Sequence, residues 1–162
     1  MKFDGKVAVV TGGSRGIGFA TVKAFLNEGA TVILCASRKE TADLAISELL
    51  KIDENAKVEA IYPNLSNYNE VKTAFDKIVE KYGKIDILIN NAGISNSTPF
   101  TNYTEEEFEK VMDLNVKAVY NCSRAVVDNM TENKQGVILN TSSMVSITGQ
   151  PSGVAYPTSK FA

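Results

Sequence analysis

Histidine is absent from the sequence. That removes Ser-His-Asp triads, imidazole general bases and histidine metal sites together. Proton transfer must come from Tyr, Lys, Asp, Glu or Cys, and no metal site is expected. Cysteine is scarce: Cys35 and Cys122 lie far apart, each in an apolar segment, and read as buried, reduced packing residues. No run approaches the length of a membrane span. Lysine and arginine form no stripe and the net charge is -2, so a nucleic-acid surface is not expected. The opening "MKFDGKVAVVTGG" lacks the long apolar stretch and cleavage site of a signal peptide. It reads as the first strand of a cytoplasmic protein. Repeats, low-complexity tracts and linkers are also missing.

What is present is an alternation. The 162 residues are 44% hydrophobic and 22% charged, enough for one domain over 1–162 with a real core. Apolar strands are expected at Lys6–Thr11, Thr31–Ala36, Lys57–Pro63, Ile85–Asn90 and Gly136–Thr141. Between them lie helical patterns. Gly16–Gly29 carries Ile17, Ala20, Ala24 and Phe25 at helical spacing, and Lys39–Lys51 is expected to bury Leu44, Leu49 and Leu50. Asn69–Lys81 ends at Gly83, and a long helix opens at Thr104 with Glu107 completing a capping box. A last helix starts at Gly153 or Val154. Five strands alternating with helices predict an α/β fold, a Rossmann-type doubly wound parallel sheet with helices on both faces. The pattern stops after the fifth strand and reads as truncated there.

The turn after the first strand is "TGGSRGIG", Thr11–Gly18. Glycines at 12, 16 and 18 let the backbone turn tightly and approach a pyrophosphate, while the helix start presents free N–H groups. An NAD site of this kind carries an acid at the end of the second strand, to hold the ribose 2'-hydroxyl. That place reads Ala36, Ser37, Arg38. Arg38, with Arg15 from the loop, suits a 2'-phosphate instead. NADP(H) is therefore preferred, with NAD(H) as the alternative.

Near the end stands "YPTSK", Tyr156–Lys160, a tyrosine and a lysine on one helix face. The two-residue pattern alone means little, because "YNEVK" at Tyr68–Lys72 has it too. There, Asn55 stands 13 residues before the tyrosine, and the segment reads as surface. Before Tyr156 the corresponding position is Ser143.

With "TGGSRGIG", "NNAG" at Asn90–Gly93, Asn115 in "DLNVKAVY", Ser143 in "TSSM" and "YPTSK" in this order, the chain resembles the short-chain dehydrogenase/reductase family, in its non-extended branch. The resemblance runs from Lys6 to the last residue. It implies hydride transfer between a nicotinamide and a carbonyl or alcohol carbon. It implies four catalytic residues: Tyr156 as acid/base, Lys160 as the cation favouring phenolate, Ser143 orienting the substrate oxygen, and Asn115, at the place where the family's asparagine kinks the helix, fixing a water that links Lys160 to solvent. Ser143 and Tyr156 would touch substrate, Ser142 being the rival serine. Cofactor contacts are implied at Gly12, Ser14, Arg15, Gly16, Ile17, Gly18, Ser37, Arg38, Asn64, Leu65, Asn90, Ala92, Gly93, Tyr156 and Lys160. Asn91 reads as a bridge between strands. Ile94 to Phe100, Met144, Val145 and Gln150 are expected to line part of the pocket.

Within the family the chain looks most like 3-oxoacyl-acyl-carrier-protein reductases of fatty acid biosynthesis, with bacterial hydroxysteroid dehydrogenases of the bile acid type as the alternative. Members are commonly homotetramers, so a tetramer or dimer is implied. The loop lacks the Gly-x2-Gly-x2-Gly spacing of the epimerase/dehydratase branch. A non-catalytic nucleotide-binding fragment is the rival from another class. The family's later strands, substrate loop and C-terminal helices would follow Ala162.

Overall fold

The five apolar runs form one parallel sheet in a computed structural model that describes residues 1–162. The strands are β1 (Val7–Thr11), β2 (Thr31–Cys35), β3 (Val58–Ile61), β4 (Ile87–Asn90) and β5 (Val137–Asn140), in the order β3-β2-β1-β4-β5. Each is shorter than the sequence pattern suggests, because the outer residues of each run leave the ladder for the turns. Alternate residues of β1 feed two cores. Val7 and Val9 join Ile33, Cys35 and Leu88 in one. Ala8 and Val10 join Val32, Leu34, Ile87 and Ile89 in the other. Every β1 residue is buried, which is what a central parallel strand covered on both faces requires.

Helices α1 (Gly16–Asn27) and α2 (Lys39–Ile52) cover the second core through Val22, Ala42, Ala45 and Leu49. Helices α3 (Tyr68–Tyr82) and α5 (Ala118–Glu132) cover the first through Val71, Phe75, Ile78, Cys122 and Val126. Two expected faces are wrong. In α2, Leu44 and Leu50 are exposed, and only Leu49 of the expected three is buried. The buried stripe is Ala42, Ala45 and Leu49, at i, i+3 and i+7; Leu44 is five residues from Leu49 and so lies on another side. In α1, Ile17, Ala20 and Ala24 face outward, while Gly18 and Val22 are buried and Phe19, Phe25 and Leu26 pack beside them. The heavier side chains take the core, and the small ones share the outer face with Ile17.

Thr104 and Glu107 form the expected capping box on α4 (Glu105–Met112). The single long helix expected beyond it is interrupted, however. Asp113–Lys117 winds as a π-helix with Asn115 buried inside it, and α5 continues from Ala118. The short α6 (Ala155–Phe161) starts one to two residues later than expected, with Pro157 in its first turn, where no helical N–H is lost. No helix is long and apolar enough to cross a membrane.

The sheet's two edges differ. On β3, Glu59 points toward α3 and accepts hydrogen bonds from Lys81 and Tyr82. An inward-facing charge on a short strand discourages pairing by another chain. On β5, Val137, Ile138 and Leu139 are 56%, 37% and 50% exposed, with no charge among them.

Asp86, just before β4, ties two strand starts together. Its carboxylate accepts from the Val7 N–H at 2.9 Å and from Lys6 at 3.1 Å, and Lys84 lies 3.1 Å away. Burial pushes its carboxyl up, but the Val7 N–H and the two ammonium groups outweigh that and hold it below the ordinary range. A depressed folded pKa gives stability that is present above the unfolded value of about 3.9 and lost as pH falls through the folded one. Asp86→Ala is therefore expected to cost about 2–3 kcal/mol near neutrality. In urea melts at several pH values, the gap between wild type and variant should narrow below about pH 4. A gap unchanged at low pH would show that the carboxylate charge is not its source.

Candidate active site

Strand order reverses between β1 and β4, and the ends of these two strands open a crevice there. Thr11 organises it. Its hydroxyl accepts from the N–H groups of Asn91 and Ala92, both at 3.0 Å, and donates to the Ile89 carbonyl. Asn91 returns the link by donating to the Thr11 carbonyl at 3.0 Å, the strand-bridging part expected of it. Gly12 turns the chain with φ +66, a backbone state that glycine adopts without strain. Gly18 brings α1 against that turn: a β-carbon there would lie 2.1 Å from the Gly12 carbonyl oxygen.

A cleft of about 780 Å³ opens over this turn. Of the expected cofactor contacts, Gly12, Ser14, Arg15, Gly16, Ile17, Ser37, Asn64, Leu65, Ala92 and Gly93 line it. Five others do not, and two of these, Tyr156 and Lys160, stand on α6 outside its wall. Gly18 lies beneath the turn, in the approach just described. Asn90 donates to Ser123 and Asn140 and so braces β4 against α5 and β5. Arg38 sits at the start of α2, exposed and beside the cleft rather than in its wall.

Several residues that shape the cleft belong to no sequence motif. Tyr62 and Glu70 line it. Glu70 accepts from the Asn64 N–H at 3.0 Å, and buried Asn121 of α5 donates to the Leu65 carbonyl at 2.9 Å. These two clamps come from separate helices, so no local motif announces them.

The proton-transfer candidates meet at the other end of the crevice. Gly93 joins the two regions, since a β-carbon on it would lie 3.2 Å from Asn115 Oδ1 and 3.8 Å from Lys160 Nζ. Lys160 Nζ stands 5.8 Å from the centre of the Tyr156 ring and donates to the Thr141 carbonyl at 2.8 Å. Asn115 accepts from the Ile94 N–H and donates to the Ile94 carbonyl and to Ser159, each at 2.9 Å. Both hydrogens of its side-chain amide are thus engaged by protein. The side-chain oxygen, which accepts one hydrogen bond from the Ile94 N–H, keeps a lone pair that a water of the expected kind would meet.

The two serines separate cleanly. Ser142 donates to the Lys160 carbonyl at 3.3 Å and so anchors α6. Ser143 caps the short turn Met144–Ser146 by accepting from the Val145 N–H, which leaves its hydroxyl hydrogen free. The look-alike pair in α3 does other work. Lys72 pairs with Asp76 at 2.6 Å, and Tyr68 is half-buried against the core, so only its lysine is the surface residue expected. Both cysteines are buried, and burial pushes their thiols up, Cys122 to about 12. Neither is a thiolate nucleophile near neutrality.

The crevice is suited to a nicotinamide dinucleotide. The start of α1 has no side-chain cap and no acid in its first turn, unlike α3 and α4, which Asn67 and Thr104 cap. Its N–H groups are left for an outside acceptor. A β-carbon on Gly16 would meet nothing within 4 Å, so the turn is open on that side.

Residues 6–162 match the family described as short chain dehydrogenase. The chain belongs to the short-chain dehydrogenase family. It is 55% identical over its whole length to a 3alpha-hydroxysteroid dehydrogenase of Mediterraneibacter gnavus, covering 65% of that protein. It is 38% identical over 160 residues to a 3-oxoacyl-acyl-carrier-protein reductase of Thermotoga maritima, covering 64% of it. The chain thus spans a little under two thirds of the length of these relatives. Among solved structures, an NAD+-bound xylitol dehydrogenase superposes with a TM-score of 0.93 at 32% identity, over 100% of this chain and 62% of that one. A metagenomic short-chain oxidoreductase in complex with NADP superposes at 0.92 and 31% identity, over 99% of this chain and 72% of that one. This short-chain dehydrogenase chain therefore has the Rossmann-type sheet that its sequence predicts.

Proposed function

We propose that this chain is an NADP(H)-dependent oxidoreductase of the cytoplasm that interconverts a ketone and a secondary alcohol, with a hydroxysteroid as the substrate class. The observation that carries the reaction type is the approach of Asn115 and Lys160 to Gly93, with the Tyr156 ring beside Lys160, next to a crevice suited to a dinucleotide. The dinucleotide, when bound, supplies or accepts the hydride. The protein's own part is orientation and the proton. Tyr156 gives its phenolic proton to the oxygen of the carbonyl being reduced, or takes one from the alcohol in reverse. The Lys160 ammonium lies beside the ring and stabilises the negative charge left on the phenol oxygen. The free hydroxyl hydrogen of Ser143 is available to hold the substrate oxygen.

The substrate class rests on the 55% identity to a hydroxysteroid enzyme, against 38% and 36% to acyl-carrier-protein reductases. That reverses the order in which the sequence motifs alone ranked the two. NADP(H) rests on Arg15 and Ser37 in the cleft wall, Arg38 beside it, the absence of an acid at Ala36–Arg38 after β2, and the lack of an ion-pair partner for either arginine. A homo-oligomer is part of the same reading, with α4 and α5 exposing Phe108, Tyr120 and Val127 for the partner copy.

Absorbance at 340 nm, with a 3-keto-steroid and with an acetoacetyl thioester, tests the substrate. Faster turnover of the thioester would reverse the assignment, and cofactor binding without turnover of either would make this a nucleotide-binding module. The arginines are tested together. Arg15→Ala with Arg38→Ala should lower kcat/KM for NADPH by about 10- to 100-fold, the scale of one or two charge-assisted hydrogen bonds, and leave NADH unchanged. A wild type that uses NADH at least as well as NADPH would overturn the phosphate reading.

A further inference from the structure

Among the buried polar side chains, Ser159 belongs to neither the cleft wall nor the four expected catalytic positions. It lies on α6, between Tyr156 and Lys160, and is 5% exposed. Its hydroxyl accepts from Asn115 Nδ2 at 2.9 Å and donates to the Tyr156 carbonyl at 2.7 Å. The hydrogen bonds therefore run in one direction. The Asn115 amide, held by the Ile94 backbone, donates to Ser159, and Ser159 donates to the backbone of the residue that carries the phenol.

The geometry of the π-helix makes this link necessary. The wider turn at Asp113–Lys117 sets Asn115 inside the fold, level with α6, where a regular helix would carry it past. An asparagine amide has two hydrogens. Ile94 takes one, and the other needs an acceptor in a place that solvent does not reach. Ser159 is that acceptor. The other end of α6 is tied separately, by Lys160 to the Thr141 carbonyl and by Ser142 to the Lys160 carbonyl. Ser159 is the contact that sets α6 against the segment carrying Gly93 and Ile94.

We propose that Ser159 is a positioning residue for the proposed reaction: by joining the Asn115 π-turn to the Tyr156 backbone, it fixes the phenol and the Lys160 ammonium relative to Gly93 at the end of the crevice. This rests on the oxidoreductase reading above. Groups that act on a reacting carbonyl tolerate little misplacement, so the loss falls on turnover rather than on binding.

In the protein carrying this sequence, Ser159→Ala is expected to lower kcat for keto-steroid reduction about tenfold, while KM and the Kd for NADPH stay within about twofold. Ser159→Thr keeps the hydroxyl and should recover most of the rate. The Ile94 amide, which Asn115 holds, should exchange its hydrogen faster in Ser159→Ala and at the wild-type rate in Ser159→Thr. If the alanine variant does not fold, Ser159→Cys, close in size and a weak donor, replaces it under the same criteria. A wild-type kcat in the alanine variant, or a fall in kcat that Ser159→Thr does not recover, overturns the proposal. The exchange measurement needs no turnover. Unchanged protection of Ile94 in the alanine variant sinks the Ser159 link even if the wild type has no reductase activity, whereas an inactive wild type with altered protection sinks only the oxidoreductase reading.

Discussion

Tyr156→Phe is expected to lower kcat by about 10²- to 10⁴-fold, the range for losing a positioned general acid, with the Kd for NADPH changed by no more than about twofold. The substitution removes one oxygen and keeps the ring, so α6 keeps its packing. The sequence has no histidine to take over the proton. The chain carries its own control, because Tyr68→Phe makes the same chemical change four residues before a lysine in α3. That variant should turn over at the wild-type rate. Steady-state rates at 340 nm and NADPH fluorescence titrations separate the two effects. A Tyr156→Phe protein with wild-type kcat would remove the phenol from the mechanism.

The second large effect is expected at Gly18, which lies beneath the turn rather than in the cleft wall. Gly18→Ala would set a β-carbon 2.1 Å from the Gly12 carbonyl oxygen and 2.6 Å from Asn91 Nδ2. Both neighbours are fixed, one being backbone and the other bonded to Thr11. Relief requires α1 to move off the turn, which carries its N–H groups away from the crevice. The expected outcome is a loss of about 3 kcal/mol in urea melts, at the upper end for overpacking, and a Kd for NADPH raised by more than about 100-fold. Gly16→Ala is the contrast. Its β-carbon meets nothing within 4 Å, and the cost is that of φ +56, about 1–2 kcal/mol. If Gly18→Ala bound NADPH as wild type does, the close approach of helix and turn would not matter to the site.

Those two positions show what a sequence carries openly. Glycines 12 and 18 stand in a contiguous motif, and their spacing reflects a turn whose geometry is local. The sheet was legible for a similar reason, since valine- and isoleucine-rich runs bounded by turns have few alternatives. Helix faces were less so. In α2 the three leucines do not share a face: the buried stripe is Ala42, Ala45 and Leu49, and Leu44 and Leu50 lie off it. The π-turn around Asn115 left no periodic trace at all: one extra residue within a long apolar-polar pattern reads as an ordinary helix. Glu70, Asn121 and Ser159 act across the fold on Asn64, Leu65 and Tyr156, and such pairings exist only once the chain has closed.

The charge that Glu59 holds on β3 has a consequence for the sheet's margin on that side. It guards the unpaired N–H and C=O groups of Val58–Ile61 against a strand from another chain. Neutralising it would leave that short strand a template for pairing, and a self-association that the charge now opposes would be expected to rise with concentration.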